Sequence, residues 1–301
     1  MKLELQHFWE SHTNDFHPDF DGDVTKSFLI DLVKTSIPYG AKDVLLSSVY
    51  ANRGLSNRIL SPISNALKPN LEKTYGQDNP GKPTKGKLNI WFTAENTRPP
   101  LHENWDVFWS FEKDFYDKRN RYLPLWVTRL GKTLIEAEQC QTRLMQERPL
   151  QETRKELIAA VISNPERIRG HLISELSQEI PIKVFGKLGT PIENKKQTLL
   201  DFRMNLCFEN DLYPGYVTEK PFEAYLAGCI PVWRGLDRDS YLNSEAIINL
   251  TDLSTREAVD LIKRVSKDSK RLEYMSQLPL LNKKVPVFDI SSSLRDTYLE
   301  S

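Results

Sequence analysis

The sequence lacks the features that mark several large classes of protein. No apolar run approaches the roughly 18 residues of a membrane-spanning helix. Met1 is followed by a polar stretch and not by the basic and then apolar segments of a secretory signal. The 41 basic residues balance the 41 acidic residues, so no overall field would attract nucleic acid or an anionic membrane. Any binding site for an anion must therefore be local.

Cysteine is also scarce, and two nucleotide-binding fingerprints are missing. Cys140, Cys207 and Cys229 are odd in number, and two of them lie in apolar segments. This usage indicates reduced, buried thiols of a cytoplasmic protein, and it disfavours a disulfide framework or a zinc site. The glycines match neither a P-loop nor a GxGxxG turn, so neither a nucleoside triphosphatase nor a dehydrogenase is indicated.

The length and composition favour two globular domains. The chain has 301 residues, of which 39% are hydrophobic and 27% charged. We expect an N-terminal domain over residues 1–150 and a C-terminal domain over residues 151–301, connected by the charged segment 128–155. Apolar periodicity predicts helices over residues 28–33 and 254–267, and strands over residues 44–49, 88–92, 105–109, 156–162, 184–189 and 246–250.

Two N-terminal patterns resemble metal sites only superficially. His7, His12 and His17 lie among acidic residues, but their five-residue spacing places them on no common face of a helix or strand. Asp21-Gly22-Asp23 has the form of a DxD metal motif, but no apolar strand precedes it. We therefore predict a polar loop and a turn here.

Residues 206–235 concentrate the chemistry of the chain in a predicted β-α-β unit. An apolar strand over residues 206–208 is followed by a turn at Pro214 and Gly215. Thr218 is predicted to cap a helix that Gly228 ends, and a second strand covers residues 230–233. Open α/β sheets bind ligands where such strands lead into helices.

Two charged residues at the start of this helix suggest an anion. Glu219 and Lys220 fall in its first turn, where free backbone amides already favour negative charge. A lysine there opposes the dipole preference, and a bound phosphate would explain it. An exposed salt bridge is the alternative explanation.

These residues form part of a longer pattern. The run FEN at residues 208–210, GYVTEK at residues 215–220 and A-x-x-x-G-x-IPV-x-x-G at residues 224–235 resembles the donor-binding signature of the α-1,3/1,4-fucosyltransferases, glycosyltransferase family 10. Upstream, FTAEN at residues 92–96 is similar to a further motif of this family, with Ala94 in place of its glycine. The resemblance covers most of residues 88–236, and the absence of an apolar anchor is typical of the bacterial members.

The resemblance implies roles for particular residues. Glu95, within FTAEN, corresponds to the residue held to be the catalytic base. Arg169, or its neighbour Arg167, would contact the donor diphosphate. The implied donor-binding residues are Ser163, Asn164, Arg169, Asn210, Tyr216, Glu219 and Lys220.

The resemblance also implies a fold and a reaction. The fold would be α/β and GT-B-like, with two Rossmann-like domains facing each other across a cleft. The enzyme would transfer L-fucose, with inversion, from GDP-β-L-fucose to a GlcNAc or glucose hydroxyl of an oligosaccharide such as a LacNAc-type or cell-surface glycan. No cofactor and no essential metal are expected, because side chains would neutralise the leaving diphosphate.

The remaining expectations concern partners and alternatives. We expect no nucleic-acid partner, no transmembrane anchor and a cytoplasmic location, with peripheral attachment to the inner membrane left open. A related transferase that uses another nucleotide sugar is one alternative. A non-catalytic protein that binds a glycan or a nucleotide is the other. The sequence does not indicate the acceptor.

Overall fold

The computed structural model describes residues 1–6, 8, 24–37, 42–49, 82–113, 117–149, 154–162, 167–186 and 189–300, without the side chains of residues 167–169 and 300. The chain divides into two compact units. Unit 1 takes its described residues from Met1–His12, Leu32–Leu125 and Phe288–Ser301, and unit 2 takes them from Thr13–Asp31 and Trp126–Val287. His7, His12, His17 and the Asp21-Gly22-Asp23 turn lie outside the described residues.

The elements of the described segments follow the order expected of two α/β units. The strands are β1 Leu3–Gln6, β2 Val44–Ser48, β3 Leu88–Phe92, β4 Val107–Ser110, β5 Asn120–Tyr122, β6 Glu156–Ile162, β7 Ile182–Gly186, β8 Phe202–Phe208, β9 Ile230–Arg234 and β10 Ile248–Asn249. The helices are α1 Val24–Ser36, a 3₁₀ helix Leu125–Arg129, α2 Leu134–Leu144, α3 Arg167–Glu179, α4 Lys195–Leu199, α5 Lys220–Leu226, α6 Thr255–Lys267, α7 Ser269–Gln277 and α8 Val287–Glu300.

Unit 1 contains a parallel sheet in the order β1-β2-β3-β4-β5. Every residue of β2, β3 and β4 is buried, as expected of strands covered on both faces of a parallel sheet. The C-terminal helix α8 belongs to this unit, and the hydroxyl of Ser291 lies 3.0 Å from that of Ser36 in α1. Glu95 follows the carboxyl end of β3.

Unit 2 contains a second parallel sheet, in the order β10-β9-β8-β6-β7. From the other edge this is the doubly wound order 2-1-3-4-5, which reverses direction between β6 and β8. One face packs its apolar residues against α3 and α6, including Ile158, Met204, Leu206, Leu176 and Ile262. The reversal places the carboxyl ends of β6 and β8 where ligands bind in such sheets.

The unit boundaries differ from the expected boundary at residue 150. Trp126 stacks on Phe222, with ring centroids 4.6 Å apart. Gln141, in α2, accepts a hydrogen bond from the backbone of Val285 at 2.6 Å and donates one to its carbonyl at 3.2 Å. Part of the predicted connecting segment is therefore a packed helix of unit 2, capped by Thr133, and not a linker.

Several sequence predictions are confirmed. The strands over residues 88–92 and 156–162 have the predicted bounds, and α6 begins with a capping box between Ser254 and Glu257. All three cysteines are buried and unpaired, and burial raises the pKa of each thiol, that of Cys229 to about 12. Apart from these predictions, the described segments contain no helix that is both long enough and apolar enough to cross a bilayer, and no cluster of three potential metal ligands.

Candidate functional site

The candidate donor site begins where β8 ends. Glu209 and Asn210 follow the last residue of β8 directly, and a loop leads from them to α5. Gly215 turns this loop with a φ of +82°, which glycine adopts without strain, and its N–H donates to the carbonyl of Leu236 at 2.8 Å. The loop therefore returns to the carboxyl end of β9.

Glu209 anchors this loop through a fully buried carboxylate. Its Oε1 accepts from the backbone N–H of Thr218 at 2.9 Å and from the indole N–H of Trp233 at 3.3 Å. Its Oε2 accepts from the hydroxyl of Thr218 at 2.6 Å and from the ammonium of Lys220 at 3.3 Å. The four hydrogen bonds compensate for the removal of this charge from water.

These contacts correct the predicted helix cap. Thr218 does not cap α5, because its hydroxyl donates to Glu209. The helix begins two residues later, at Lys220, and Glu219 precedes it without a side-chain capping bond. The predicted end of the helix is confirmed, because Gly228 has a φ of +83° and its N–H donates to the carbonyl of Tyr225 at 2.8 Å.

Lys220 is held by two oxygen atoms of neighbouring residues. Its ammonium lies 3.3 Å from Oε2 of Glu209 and 3.1 Å from Oδ1 of Asn210. Its side chain is 22% exposed, whereas that of Glu209 is completely buried. The ion pair is therefore mostly buried, and it is not the exposed salt bridge of the alternative explanation.

Glu219 remains a carboxylate in this surrounding. Burial raises its pKa, but the positive charges of Arg129, Lys220 and Lys195 outweigh burial, so the pKa lies below its ordinary value. An ionised carboxylate can accept hydrogen bonds from the hydroxyl groups of a sugar. Arg129, which lies in the 3₁₀ helix, was not among the predicted site residues.

Lys195 and Glu223 form a second ion pair that the sequence analysis missed. Their charged atoms lie 2.7 Å apart, and both side chains are less than a tenth exposed. Burial raises the pKa of the Glu223 carboxyl to about 7, and the charge of Lys195 offsets this effect only in part. The two residues are 28 positions apart, and neither belongs to a recognisable motif, so no sequence signal pairs them.

Three of the predicted donor residues cannot be placed by their side chains. Ser163 and Asn164 lie outside the described residues, directly after β6. Arg169 lies in the first turn of α3, as does Arg167, but their side chains are not described. Both arginines therefore stay open as the diphosphate contact.

Tyr216 is completely buried in this structure. Its backbone N–H donates to the carbonyl of Tyr213 at 3.0 Å, within the turn around Gly215. The predicted contact with the nucleoside would therefore require a rearrangement of this turn, and it stays a prediction.

In unit 1, Glu95 lies half-buried in the segment after β3. Its carbonyl accepts a hydrogen bond from the backbone N–H of Thr97 at 2.7 Å. Arg98 donates to the side-chain oxygen of Asn96 at 3.2 Å and lies 3.1 Å from a carboxylate oxygen of Glu112. These contacts hold the chain next to the predicted base.

Arg119 is a further residue that the sequence analysis missed, and it holds the loop that follows Glu95 and Arg98. Its guanidinium donates to the carbonyls of Leu101, Glu103 and Trp105 at 2.9 to 3.2 Å. It also pairs with Asp117 at 2.7 Å, which holds the pKa of that carboxyl below its ordinary value. Because one side chain fixes three carbonyls, the loop has a defined path.

Comparison with known proteins identifies relatives of unit 2. Residues 151–277 match the family model described as "Glycosyltransferase family 10 (fucosyltransferase) C-term". The human "4-galactosyl-N-acetylglucosaminide 3-alpha-L-fucosyltransferase 9" is 33% identical over 127 residues, which cover 39% of this chain and 35% of that protein. The "Alpha-(1,3)-fucosyltransferase FucT" of Helicobacter pylori is 36% identical over 110 residues, which cover 34% of this chain and 23% of that protein. The match thus spans about a third or less of these curated relatives.

Solved structures show the same fold over nearly the whole chain. An alpha1,3-fucosyltransferase with GDP has a TM-score of 0.62 and 18% identity, with 92% of this chain and 97% of that chain covered. An alpha1,3-fucosyltransferase with GDP-fucose has a TM-score of 0.63 and 19% identity, with 100% and 90% covered. The prediction of two Rossmann-like domains of the GT-B class is confirmed.

Proposed function

We propose that this protein is a fucosyltransferase that uses GDP-β-L-fucose, because residues 151–277 match the model of the glycosyltransferase family 10 domain. The observation that carries the proposal is the position of Lys220, held by Glu209 and Asn210 at the carboxyl end of β8. This is the ligand-binding edge of a doubly wound sheet. A fixed positive charge at this edge supports Lys220 as a contact of the diphosphate of a nucleotide sugar.

Some of the donor residues would stabilise the leaving group, and others would bind the nucleoside and the sugar. Lys220 and Arg169 would neutralise the charge that grows on the diphosphate as the glycosidic bond breaks. Glu219, which stays ionised, would accept hydrogen bonds from the ribose hydroxyls, and Asn210 would contact the sugar. Ser163, Asn164 and Tyr216 complete the proposed donor set.

Transfer requires a base for the acceptor, and we assign this role to Glu95. The acceptor oxygen forms a bond to C1 of fucose while the bond between C1 and the phosphate oxygen breaks. The hydroxyl proton passes to the carboxylate of Glu95, and the electron pair of the broken bond leaves with GDP. A single displacement of this kind inverts the configuration at C1.

The acceptor, the metal requirement and the location belong to the same proposal. We propose transfer to a GlcNAc or glucose hydroxyl of an oligosaccharide, in α-1,3 or α-1,4 linkage, and the names of the relatives favour α-1,3. The cationic side chains would make an essential metal unnecessary. The buried, unpaired thiols support a cytoplasmic location.

A panel of nucleotide sugars tests the proposal. The purified protein is incubated with each donor, with and without N-acetyllactosamine, and nucleotide release and glycan mass are measured. We expect GDP release from GDP-fucose and a fucosylated product. Turnover of another nucleotide sugar alone would indicate a related transferase, and nucleotide binding without turnover would indicate a non-catalytic relative.

A further inference from the structure

We infer that Glu209 is a positioning residue of the donor site, whose buried carboxylate fixes the Lys220 ammonium and the Thr218 backbone in place. The inference rests on the proposed function, because it concerns how the diphosphate-binding lysine is held. It assigns to Glu209 no contact with the donor.

The hydrogen bonds of Glu209 leave it no part in proton transfer. An ionised carboxylate has about four sites that accept hydrogen bonds, and four donors already surround this one. One of these donors, Lys220, is a cation. Glu209 is therefore a poor competitor of Glu95 for the proton of an acceptor hydroxyl, although its position at the end of a strand is equally suitable.

The same bonds join three segments of the chain. Thr218 and Lys220 lie at the start of α5, Trp233 lies in β9, and Glu209 follows β8. Lys220 also contacts Asn210, so two consecutive residues after β8 determine the direction of its ammonium. Glu219 lies between two residues that Glu209 holds, and its backbone is fixed by the same contacts.

Gly235 provides independent support, because it leaves room for this arrangement. A Cβ atom at this position would lie 2.8 Å from Cγ of Glu209 and would also collide with the ring of Trp233. The residue after β9 must therefore be a glycine for Glu209 to approach the indole. The close packing thus limits where the Glu209 side chain can lie.

A role that is only structural makes a different prediction from a positioning role. If Glu209 merely stabilised the fold, its loss would lower activity by the same factor whether or not Lys220 is present. If it acts mainly through Lys220, its loss should lower activity by a much smaller factor once the ammonium is gone. A double-mutant cycle separates these possibilities.

The cycle uses Glu209→Gln, Lys220→Met and the double variant, with kcat/KM for GDP-fucose measured together with the melting temperature. We expect Glu209→Gln to lower kcat/KM about 10²-fold, as a displaced catalytic group does. The double variant should be less active than Lys220→Met by a factor much smaller than the loss that Glu209→Gln causes in the wild type. Unchanged activity of Glu209→Gln, or losses that multiply in the double variant, would overturn the inference. Glu179→Gln is the matched control, because this carboxylate is half-exposed and pairs with Lys263 on the surface of unit 2.

Two further measurements keep the test decisive. If Glu209→Gln does not fold, Glu209→Asp keeps the charge but is one methylene shorter, and the same non-additivity with Lys220→Met is expected. Labelling of lysines by an amine-reactive reagent, read by peptide mass spectrometry, does not depend on catalysis. Lys220 should be labelled faster in the Glu209 variant than in the wild type, with Lys263 as internal reference, and equal rates would refute the inference. If the labelling difference between the variant and the wild type is found but the wild type transfers no fucose, the proposed function alone is refuted.

Discussion

Glu95 lies directly after the central strand β3, where a carboxylate is as easily a turn residue as a base. In the proposed reaction it accepts the proton of the acceptor hydroxyl in the transition state. Glu95→Gln keeps the shape of the side chain but removes its basicity. We expect kcat to fall by about 10²- to 10⁴-fold while GDP binding stays unchanged.

Steady-state kinetics and a GDP titration check this expectation. Glu4→Gln is a suitable control, because Glu4 is a partly exposed carboxylate in unit 1 that pairs with Lys87. An unchanged kcat in Glu95→Gln would remove the base assignment. Loss of both GDP binding and the folded state would make Glu95 a structural residue.

The two proposed diphosphate contacts give a second prediction. Lys220→Ala and Arg169→Ala should each cost about 2 to 4 kcal/mol of transition-state stabilisation, as the loss of an oxyanion donor does. Lys220→Ala should also lower the melting temperature, because it leaves the buried charge of Glu209 without its cation. Measurement of kcat/KM for GDP-fucose decides the first effect and calorimetry the second.

Arg167→Ala is the matched control for the arginine, since both lie in the first turn of α3. If Arg167→Ala loses activity and Arg169→Ala does not, Arg167 is the residue that contacts the diphosphate. Near-normal activity of Lys220→Ala would leave that lysine only its ion pair with Glu209.

Glu223 gives the protein a predictable dependence on pH. Burial raises its pKa to about 7, above the ordinary value of 4.5. Between these values the folded state holds a proton that the unfolded state has lost, so the contribution of Glu223 to stability is complete below about pH 4.5 and is lost as pH rises through about 7.

Urea unfolding of the wild type and of Glu223→Gln at several pH values checks this direction. We expect the stability of the wild type to fall relative to that of Glu223→Gln between pH 5 and pH 8. A wild type that gains stability over this range would show that the charge of Lys195 dominates over burial.

At the scale of elements, the two ends of α5 show what local sequence can determine. Its C-terminus was predictable, because Gly228 can adopt the left-handed conformation that ends a helix. Its N-terminus was not, because Thr218 had the properties of a cap but is bound by Glu209, nine positions earlier. A local preference was overridden by a tertiary contact.

Gly228 and Gly170 supply a paired prediction on this scale. Gly228 has a φ of +83°, so Gly228→Ala should destabilise the protein by about 1 to 2 kcal/mol. Gly170 lies exposed in α3, with open space where a Cβ would stand, so Gly170→Ala should stabilise by about 0.5 to 1 kcal/mol. Opposite shifts in the urea midpoint are expected, and shifts of equal sign would contradict the assignment of these backbones.

The strands were largely predictable, whereas the charge network was not. Continuous apolar runs determined β3 and β6 because both faces of a parallel sheet are buried. The pairs of Glu209 with Lys220 and of Lys195 with Glu223 join residues 11 and 28 positions apart. Periodicity carries no information about such pairs, although the position of Lys220 at the start of a helix and the family resemblance both drew attention to that residue.

For the whole molecule, the sequence predicted two α/β domains but not how the chain divides between them. Helix α8 belongs to unit 1, where Arg121 donates to the hydroxyl of Thr297 at 2.6 Å, across 176 residues. Arg295 likewise donates to the carbonyls of Thr35 and Ser36. A return of the C-terminus to the first unit has no local signal, because it depends on contacts between distant segments.

Metal independence is the prediction that concerns the reaction as a whole. The proposed reaction separates charge onto a diphosphate, and a divalent cation or fixed cationic side chains can stabilise that charge. Here Lys220 is already fixed by Glu209 and Asn210. Asp237 begins a second Asp-x-Asp sequence, which lies within the described residues. Its carboxylate accepts a hydrogen bond from the backbone N–H of Leu242 at 2.6 Å, and burial raises its pKa. Asp237 therefore stabilises the turn after β9.

We therefore expect fucose transfer to continue in excess EDTA with at most a modest loss of rate. The measurement is initial rate against EDTA concentration, with the melting temperature followed in parallel to detect any structural effect of the chelator. The loss of activity in Lys220→Met should not be reversed by Mn²⁺ or Mg²⁺, because in the proposed reaction the lysine and not a metal neutralises the diphosphate. Abolition of wild-type activity by EDTA and its restoration by Mn²⁺ or Mg²⁺ would assign to a metal the role proposed for Lys220 and Arg169.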